Sequence, residues 1–277
     1  MMKEKELFDL SDKVVILTGG LGLLGLHFAE ALLKSSAVLN IIDIAGLKEM
    51  EEILNAQQWK DAFLRGRLHY HQGDITDKRS LTEIRDKCIQ KFGEINVLLN
   101  VAALNPKVEK RQQNKQERQT KVVKTFEETN LNDWNRELNV NLTGTMLCCQ
   151  VFAAAMKHGS SIINISSVYG IIGPDQRLYG GDFLKPASYS ASKGGVVSFT
   201  KWLASYFGEK GIRVNCCVFG GVENGQNEEF VKKYSAKTFL GRMAKPDEFN
   251  GLIVYLASDS SSYMTGSTVV IDGGFTS

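Results

Sequence analysis

In the run Ala187-Ser188-Tyr189-Ser190-Ala191-Ser192-Lys193-Gly194-Gly195, two residues have the types and spacing needed to move a proton. Tyr189 and Lys193 stand four apart at the start of a long apolar-periodic stretch, so on a helix they share one face. An ammonium beside a phenol favours the phenolate and lowers a pKa that starts near ~10. A tyrosine tuned this way exchanges a proton near neutral pH, as interconverting an alcohol and a carbonyl requires. The same spacing recurs at Tyr206 and Lys210, so spacing alone does not select the pair. Context does. The run Ser161-Ile162-Ile163-Asn164-Ile165-Ser166-Ser167, an apolar strand ending in two hydroxyls, leads into the first pair. The second pair lies beside Gly208 and Gly211 and reads as an exposed helix end.

A second constellation opens the chain. Val14-Val15-Ile16-Leu17-Thr18 passes into Gly19, Gly20, Gly22 and Gly25 and then an amphipathic helix. Glycines there permit a tight turn and bring a pyrophosphate close to free N–H groups at the helix N-terminus. A plain strand–helix connection would also use glycine. The next predicted strand, however, ends at Asp43, 18 residues beyond Gly25, where a carboxylate can accept bonds from ribose hydroxyls. That carboxylate would repel a 2′-phosphate, which favours NAD over NADP; Lys48 is the nearest cation after it.

With these motifs in hand, the chain resembles the classical short-chain dehydrogenase/reductase family from about Leu10 to its C-terminus. Thr18-Gly19 with Gly22 and Gly25 fills the glycine motif, and Asn100-Val101-Ala102-Ala103 takes the place of the family's Asn-Asn-Ala-Gly. Gly241-Arg242 through Pro246, Thr265-Gly266 and Asp272-Gly273-Gly274 follow the family's C-terminal pattern. The resemblance implies a catalytic tetrad of Asn141, Ser167, Tyr189 and Lys193. It implies cofactor contacts at Gly19, Gly22, Leu24, Gly25, Asp43, Asp74, Ile75, Asn100, Ala102, Tyr189, Lys193, Gly220 and Val222. Ser167 would bond the substrate oxygen, Lys193 the nicotinamide ribose, and Asn141 a water behind Lys193. Leu23 in place of the family's middle glycine, Val101 and Ala103 for Asn and Gly, and Phe219 for a proline are departures.

These residues need a scaffold, and the pattern supplies one. Strands are predicted near 13–18, 37–43, 67–72, 95–101, 161–166, 212–218 and 268–271. Helices are predicted near 22–34, 47–57, 77–91, 131–157, 187–207, 226–234 and 246–257. Their alternation predicts an α/β fold, a doubly wound parallel sheet of Rossmann type, as a single domain over 1–277. Sites in such sheets form at the strand carboxyl ends, where Gly19, Asp43, Asn100, Ser167 and Gly220 fall.

Composition is that of an ordinary globular protein, 43% hydrophobic and 23% charged, so neither disorder nor an all-apolar membrane protein is indicated. No uninterrupted apolar run approaches the ~18 residues of a membrane span. Met1 to Lys13 lacks the apolar centre of a signal peptide, which points to the cytoplasm. The five cysteines, including Cys148-Cys149 and Cys216-Cys217, have no metal-ligand spacing and read as buried thiols; the four histidines form no cluster, so no metal is expected.

Two segments look inserted. Residues 105–124 carry Lys107, Lys110, Arg111, Lys115, Arg118, Lys121 and Lys124 against Glu109 and Glu117, a formal +5 on a chain of net +2. This is either a solvated loop or a lid that attracts an anionic substrate. Aromatics are not interleaved with the charges, so nucleic acid is not the expected partner. Residues 171–186 lengthen the approach to Tyr189 and offer Asp175, Gln176, Arg177 and Tyr179, a polar set suited to a polyhydroxylated ligand or to holding the loop. This loop resembles that of family members in bacterial surface-sugar (nonulosonic acid) pathways. The expected activity is therefore NAD(P)-dependent interconversion of a secondary alcohol and a ketone, on a sugar or sugar derivative. The alternatives are a 3-oxoacyl or generic ketone reductase, or a non-catalytic NAD-binding protein. Apolar residues around the 187–207 helix, with the family's habit of pairing there, predict a homodimer or homotetramer.

Overall fold

The computed structural model describes residues 7–56, 59–105, 125–179 and 183–277. Seven strands among them form one parallel sheet in the order β3-β2-β1-β4-β5-β6-β7. They are β1 (Val14–Thr18), β2 (Val38–Asp43), β3 (Leu68–Gln72), β4 (Ile95–Asn100), β5 (Met156–Ser167), β6 (Arg213–Phe219) and β7 (Thr268–Ile271). β1, β6 and β5 from Ser160 onward are buried on both faces, which is why they read as largely apolar runs rather than alternating ones.

The helices are α1 (Leu23–Lys34), α2 (Leu47–Ala56), α3 (Lys60–Leu64), α4 (Lys78–Phe92), α5 (Leu131–Leu138), α6 (Thr145–Phe152), α7 (Ala187–Phe207), α8 (Glu228–Ser235) and α9 (Asn250–Ala257). Period-two alternation sorts the strands between two cores. Val15, Leu17, Leu99 and Ile163 meet Phe28 and Leu32 of α1 and Ile253 and Leu256 of α9. Ile16, Leu98 and Ile162 face the other way, onto Ile84 of α4, Phe152 of α6 and Leu203 of α7. β4 follows β3 in the chain yet lies on the far side of β1, so the sheet order reverses between β1 and β4. The connections leave those two strands in opposite directions and open a crevice at their carboxyl ends.

Three local expectations are corrected. β5 begins at Met156, inside the predicted helix, because Met156 pairs with Ile95 before the register shifts to Val97 and Ser161; Gly159, at φ +87°, lets the chain make that shift. The predicted 131–157 helix divides into α5 and α6 around a wide turn, Asn139–Gly144. The short α3 was not foreseen. The helical run Leu131–Ala155 is, by length and composition alone, long and apolar enough to cross a membrane. Its apolar half instead packs Cys148, Cys149, Val151 and Phe152 into the second core.

Candidate active site

Glycine shapes the crevice. Gly19 follows β1 at φ +66°, and a Cβ there would lie 2.6 Å from the Ala102 backbone leaving β4. A Cβ on Gly25 would lie 2.1 Å from the Gly19 carbonyl oxygen. Gly22 opens α1 with no side-chain cap on the first-turn N–H groups, and Leu24 beside it is half-buried. Thr18 Oγ1 braces the facing strand by accepting the Val101 and Ala102 N–H groups at 3.2 and 3.3 Å. At the end of β2, the Asp43 carboxylate accepts N–H bonds from Leu21 at 3.0 Å and Ala45 at 3.2 Å, which sets it beside the glycine turn. Asp74 holds its own turn through the Thr76 N–H and hydroxyl, and buried Ile75 lies where a Cβ on Gly144 would clash. A turn that only glycine can form, an uncapped helix start and a carboxylate at the next strand end together fit a dinucleotide.

The catalytic candidates converge across β5. Ser167 ends that strand; its Oγ accepts the Tyr169 N–H at 3.2 Å and shares a hydrogen bond with the Tyr189 phenol. Tyr189 is only 7% exposed. Burial pushes its pKa up to about 12, against the Ser167 hydrogen bond, and Tyr169 and Glu137 push the same way. The sequence argument expected the opposite direction. Lys193 does not offset the burial: its Nζ donates to the Ile165 carbonyl at 2.9 Å and lies 6.0 Å from the phenol ring centroid. Burial in turn brings Lys193 down to about 8.

Asn141 lies in the wide turn and clasps one backbone unit at both ends. Its Oδ1 accepts the Leu104 N–H at 2.7 Å, and its Nδ2 donates to the Leu104 carbonyl at 3.0 Å and to Ser192 Oγ at 3.2 Å. The side chain thus ties the chain leaving β4 to α7, one residue before Lys193. Asn100 donates to Asn164 at 2.8 Å, and Asn164 to Thr200 at 3.0 Å. This row braces β4, β5 and α7 beneath the crevice. Asn100 Oδ1 is buried with no hydrogen-bond partner among the described residues. Beyond β6, a cleft of about 150 Å³ is lined by Gly220, Gly221, Tyr234, Arg242 and Asp272. Val222 forms a bridge with Ala244 there, and its carbonyl accepts Gln226 Nε2 at 2.8 Å.

The approach loop ties up its polar set in contacts within the protein. Asp175 is paired with Arg177 at 2.8 Å and with Lys237, which holds its carboxyl well below the usual range. Gln176 clasps the Lys185 backbone through N–H at 2.9 Å and C=O at 3.0 Å. Tyr179 donates to the Tyr169 hydroxyl at 2.8 Å. These groups hold the loop, rather than standing free for a ligand. Beneath the loop, Tyr179 and Phe183 join Tyr169, Phe230, Tyr234 and Phe275 in a packed aromatic cluster in which Tyr169, Phe230 and Tyr234 are buried. Of the 105–124 insertion only Asn105 lies within the described residues, and all of its basic residues lie outside them. Sequence reasoning missed Glu137, Asn164, Lys185, Ser188 and Thr200. The one available signal was a lysine and proline directly ahead of the tyrosine helix.

The comparisons with known proteins agree with this geometry. A sequence model described as enoyl-(acyl carrier protein) reductase matches residues 23–276. The 3-oxoacyl-(acyl-carrier-protein) reductase of Thermotoga maritima is 32% identical over 272 residues, covering 96% of this chain and 98% of that protein. The D-threitol dehydrogenase of Mycolicibacterium smegmatis is 31% identical over 282 residues, covering 97% and 95%. The crystal structure of a short chain dehydrogenase from Leptospira borgpetersenii with bound NAD+ superposes with a TM-score of 0.82 at 30% identity, covering 100% of this chain and 98% of that one. The chain belongs to the short-chain dehydrogenase/reductase family. It is an oxidoreductase acting on CH–OH groups.

Proposed function

We propose that the protein interconverts a secondary alcohol and a ketone on a sugar or sugar derivative, using NAD, with Tyr189 as the proton-transfer residue. The observation that carries this is the phenol of Tyr189, buried at the tip of β5 and hydrogen-bonded to Ser167. Bound NAD supplies the hydride acceptor or donor. Ser167 orients the substrate oxygen and steadies its developing charge. Tyr189 takes the hydroxyl proton in the oxidative direction and returns it in reduction. Lys193, fixed by the Ile165 carbonyl, would hold the nicotinamide ribose of bound NAD. Asn141 positions the Leu104 backbone and Ser192, and so the start of the lysine's helical turn.

NAD rather than NADP is supported by Asp43, whose carboxylate at the end of β2, beside the glycine turn, would repel a 2′-phosphate. A carbohydrate substrate is supported by relatives named for threitol and galactose. The +5 charge of residues 105–124 favours an anionic example. A 3-oxoacyl substrate is the second reading, favoured by the Thermotoga relative and opposed by Asp43 if NADPH is its partner.

Pairing of two chains through α7 is supported by exposed Trp202 and Tyr206, which stack in line with Phe199. Five buried free cysteines are in keeping with a reducing compartment such as the cytoplasm. Turnover assays with NAD+ and NADP+ against sugars, sugar acids, sugar phosphates and β-hydroxyacyl thioesters test the assignment. It stands if NAD+ is reduced with a sugar-class alcohol, and falls if only the acyl substrate turns over.

A further inference from the structure

The tyrosine has a second cation, and the tetrad does not include it. Lys185 lies four residues before Tyr189, is 5% exposed, and sets its Nζ 3.9 Å from the centroid of the Tyr189 ring, against 6.0 Å for Lys193. Its Nζ donates to Asn105 Oδ1 at 2.5 Å, which fixes the amine from the β4 side. Gln176 fixes its backbone from the loop side.

We propose that Lys185 is a positioning residue of the active site, holding positive charge over the Tyr189 ring to stabilise the phenolate during proton transfer. A phenolate spreads part of its charge from the oxygen onto the ring carbons, so a cation over the face is drawn to the ionised ring by a full charge. The same contact attracts the neutral ring only through its quadrupole. The difference between the two states is what lowers the cost of ionising. In oxidation the substrate hydroxyl proton passes to the tyrosine oxygen, and no bond to Lys185 forms or breaks.

The groups around Lys185 fit this role. On α7 it faces Tyr189 and Lys193; from α5 it faces Glu137, buried at 7% exposure and accepting the Ser188 hydroxyl at 2.6 Å. Tyr169 and Tyr179 face Tyr189 from the loop. Burial, with Lys193 adding and Glu137 opposing, brings the Lys185 amine down to about 7, while burial drives Tyr189 up to about 12. Each departure is a cost of being charged alone. An ammonium beside a phenolate lowers the cost of charging each.

This rests on Tyr189 being the proton-transfer residue, and the test is chosen so that the two ideas fail separately. Protein labelled with carbon-13 at the tyrosine Cζ reports phenolate directly by NMR, without turnover. The Tyr189 resonance is assigned by its loss in Tyr189→Phe. Across the pH range where circular dichroism shows an intact fold, Lys185→Met should cut the ionised fraction of Tyr189 by roughly tenfold at each pH where Lys185 still holds its proton. Lys185→Arg should restore most of it; if Lys185→Met is poorly folded, Lys185→Gln gives the same comparison. An unchanged fraction in the Met or Gln variant overturns the proposal. So does an Arg variant as depleted as the Met one, or an unmodified protein whose Tyr189 stays neutral throughout. Normal turnover by Tyr189→Phe would instead overturn the assignment of the tyrosine.

Discussion

A tyrosine and a lysine four apart occur twice along α7, once near its start and once where Tyr206 pairs with Lys210 in the turn Gly208–Lys210 that follows it. The amine-to-ring distances hardly differ: 6.0 Å from Lys193 to Tyr189, and 5.7 Å from Lys210 to Tyr206. The surroundings differ in everything else. Tyr189 is 7% exposed at the tip of β5, with a serine on its oxygen and a second lysine on its face. Tyr206 is 57% exposed and stacks on Trp202 at 5.2 Å. Proximity of an amine to a phenol is therefore common ground, and removal from water is what makes one pair a candidate for chemistry.

The sharpest way to break that contrast is to remove each hydroxyl. Tyr189→Phe is expected to lower kcat by ~10²–10⁴ while NAD+ binding survives, and Tyr206→Phe to change it by less than about twofold. Steady-state rates on any alcohol found to turn over decide it, and equal losses in two folded variants would erase the distinction. The packing at each end gives a second test. A Cβ on Gly170 would sit 2.7 Å from the Lys193 backbone, whereas one on Gly208 meets open space. Gly170→Ala should cost about 1–3 kcal/mol in denaturant unfolding, and Gly208→Ala nothing, or a gain of up to about 1 kcal/mol.

The far end of the crevice sharpens the comparison by asking whether charge there acts independently of the tyrosine. Asp43→Ala should narrow the preference for NAD+ over NADP+ by about tenfold in titrations of both, by removing repulsion of the 2′-phosphate. Equal affinities in the unmodified protein would dispose of that role. The smallest expected effect is on pH dependence. Burial lowers Lys193 from 10.5 to about 8, so between those values the unfolded chain holds more protons. Stability should then rise with pH across that window and fall as pH drops through 8. Lys193→Met should flatten the slope by about 1 kcal/mol, and Lys210→Met should leave it alone; melting temperatures from pH 8 to 10 read it.

The tips of the strands were legible because apolar runs that stop at Gly19, Asp43, Asn100 and Ser167 have no other good fold. The tyrosine pair was legible from its approach strand. The direction of the Tyr189 shift was not, because desolvation depends on how completely α7 and the loop close over the phenol, which no spacing encodes. The break in the predicted 131–157 helix was hidden for a related reason. Its apolar periodicity runs straight through Asn139–Gly144, and only the demand of the Leu104 backbone for a partner reveals why the helix widens there. Glu137 and Lys185 are 48 positions apart in the chain, beyond the reach of any local pattern.

The Gln176 clasp has a consequence for how such an enzyme can diversify. It grips position 185 by main-chain atoms alone, so it holds whatever residue stands there. The place over the tyrosine face is thus a socket with interchangeable fittings. A lineage can swap a cation for a neutral or an acidic group at that point without rebuilding the loop that presents it. Retuning proton transfer for a new alcohol would then take one codon.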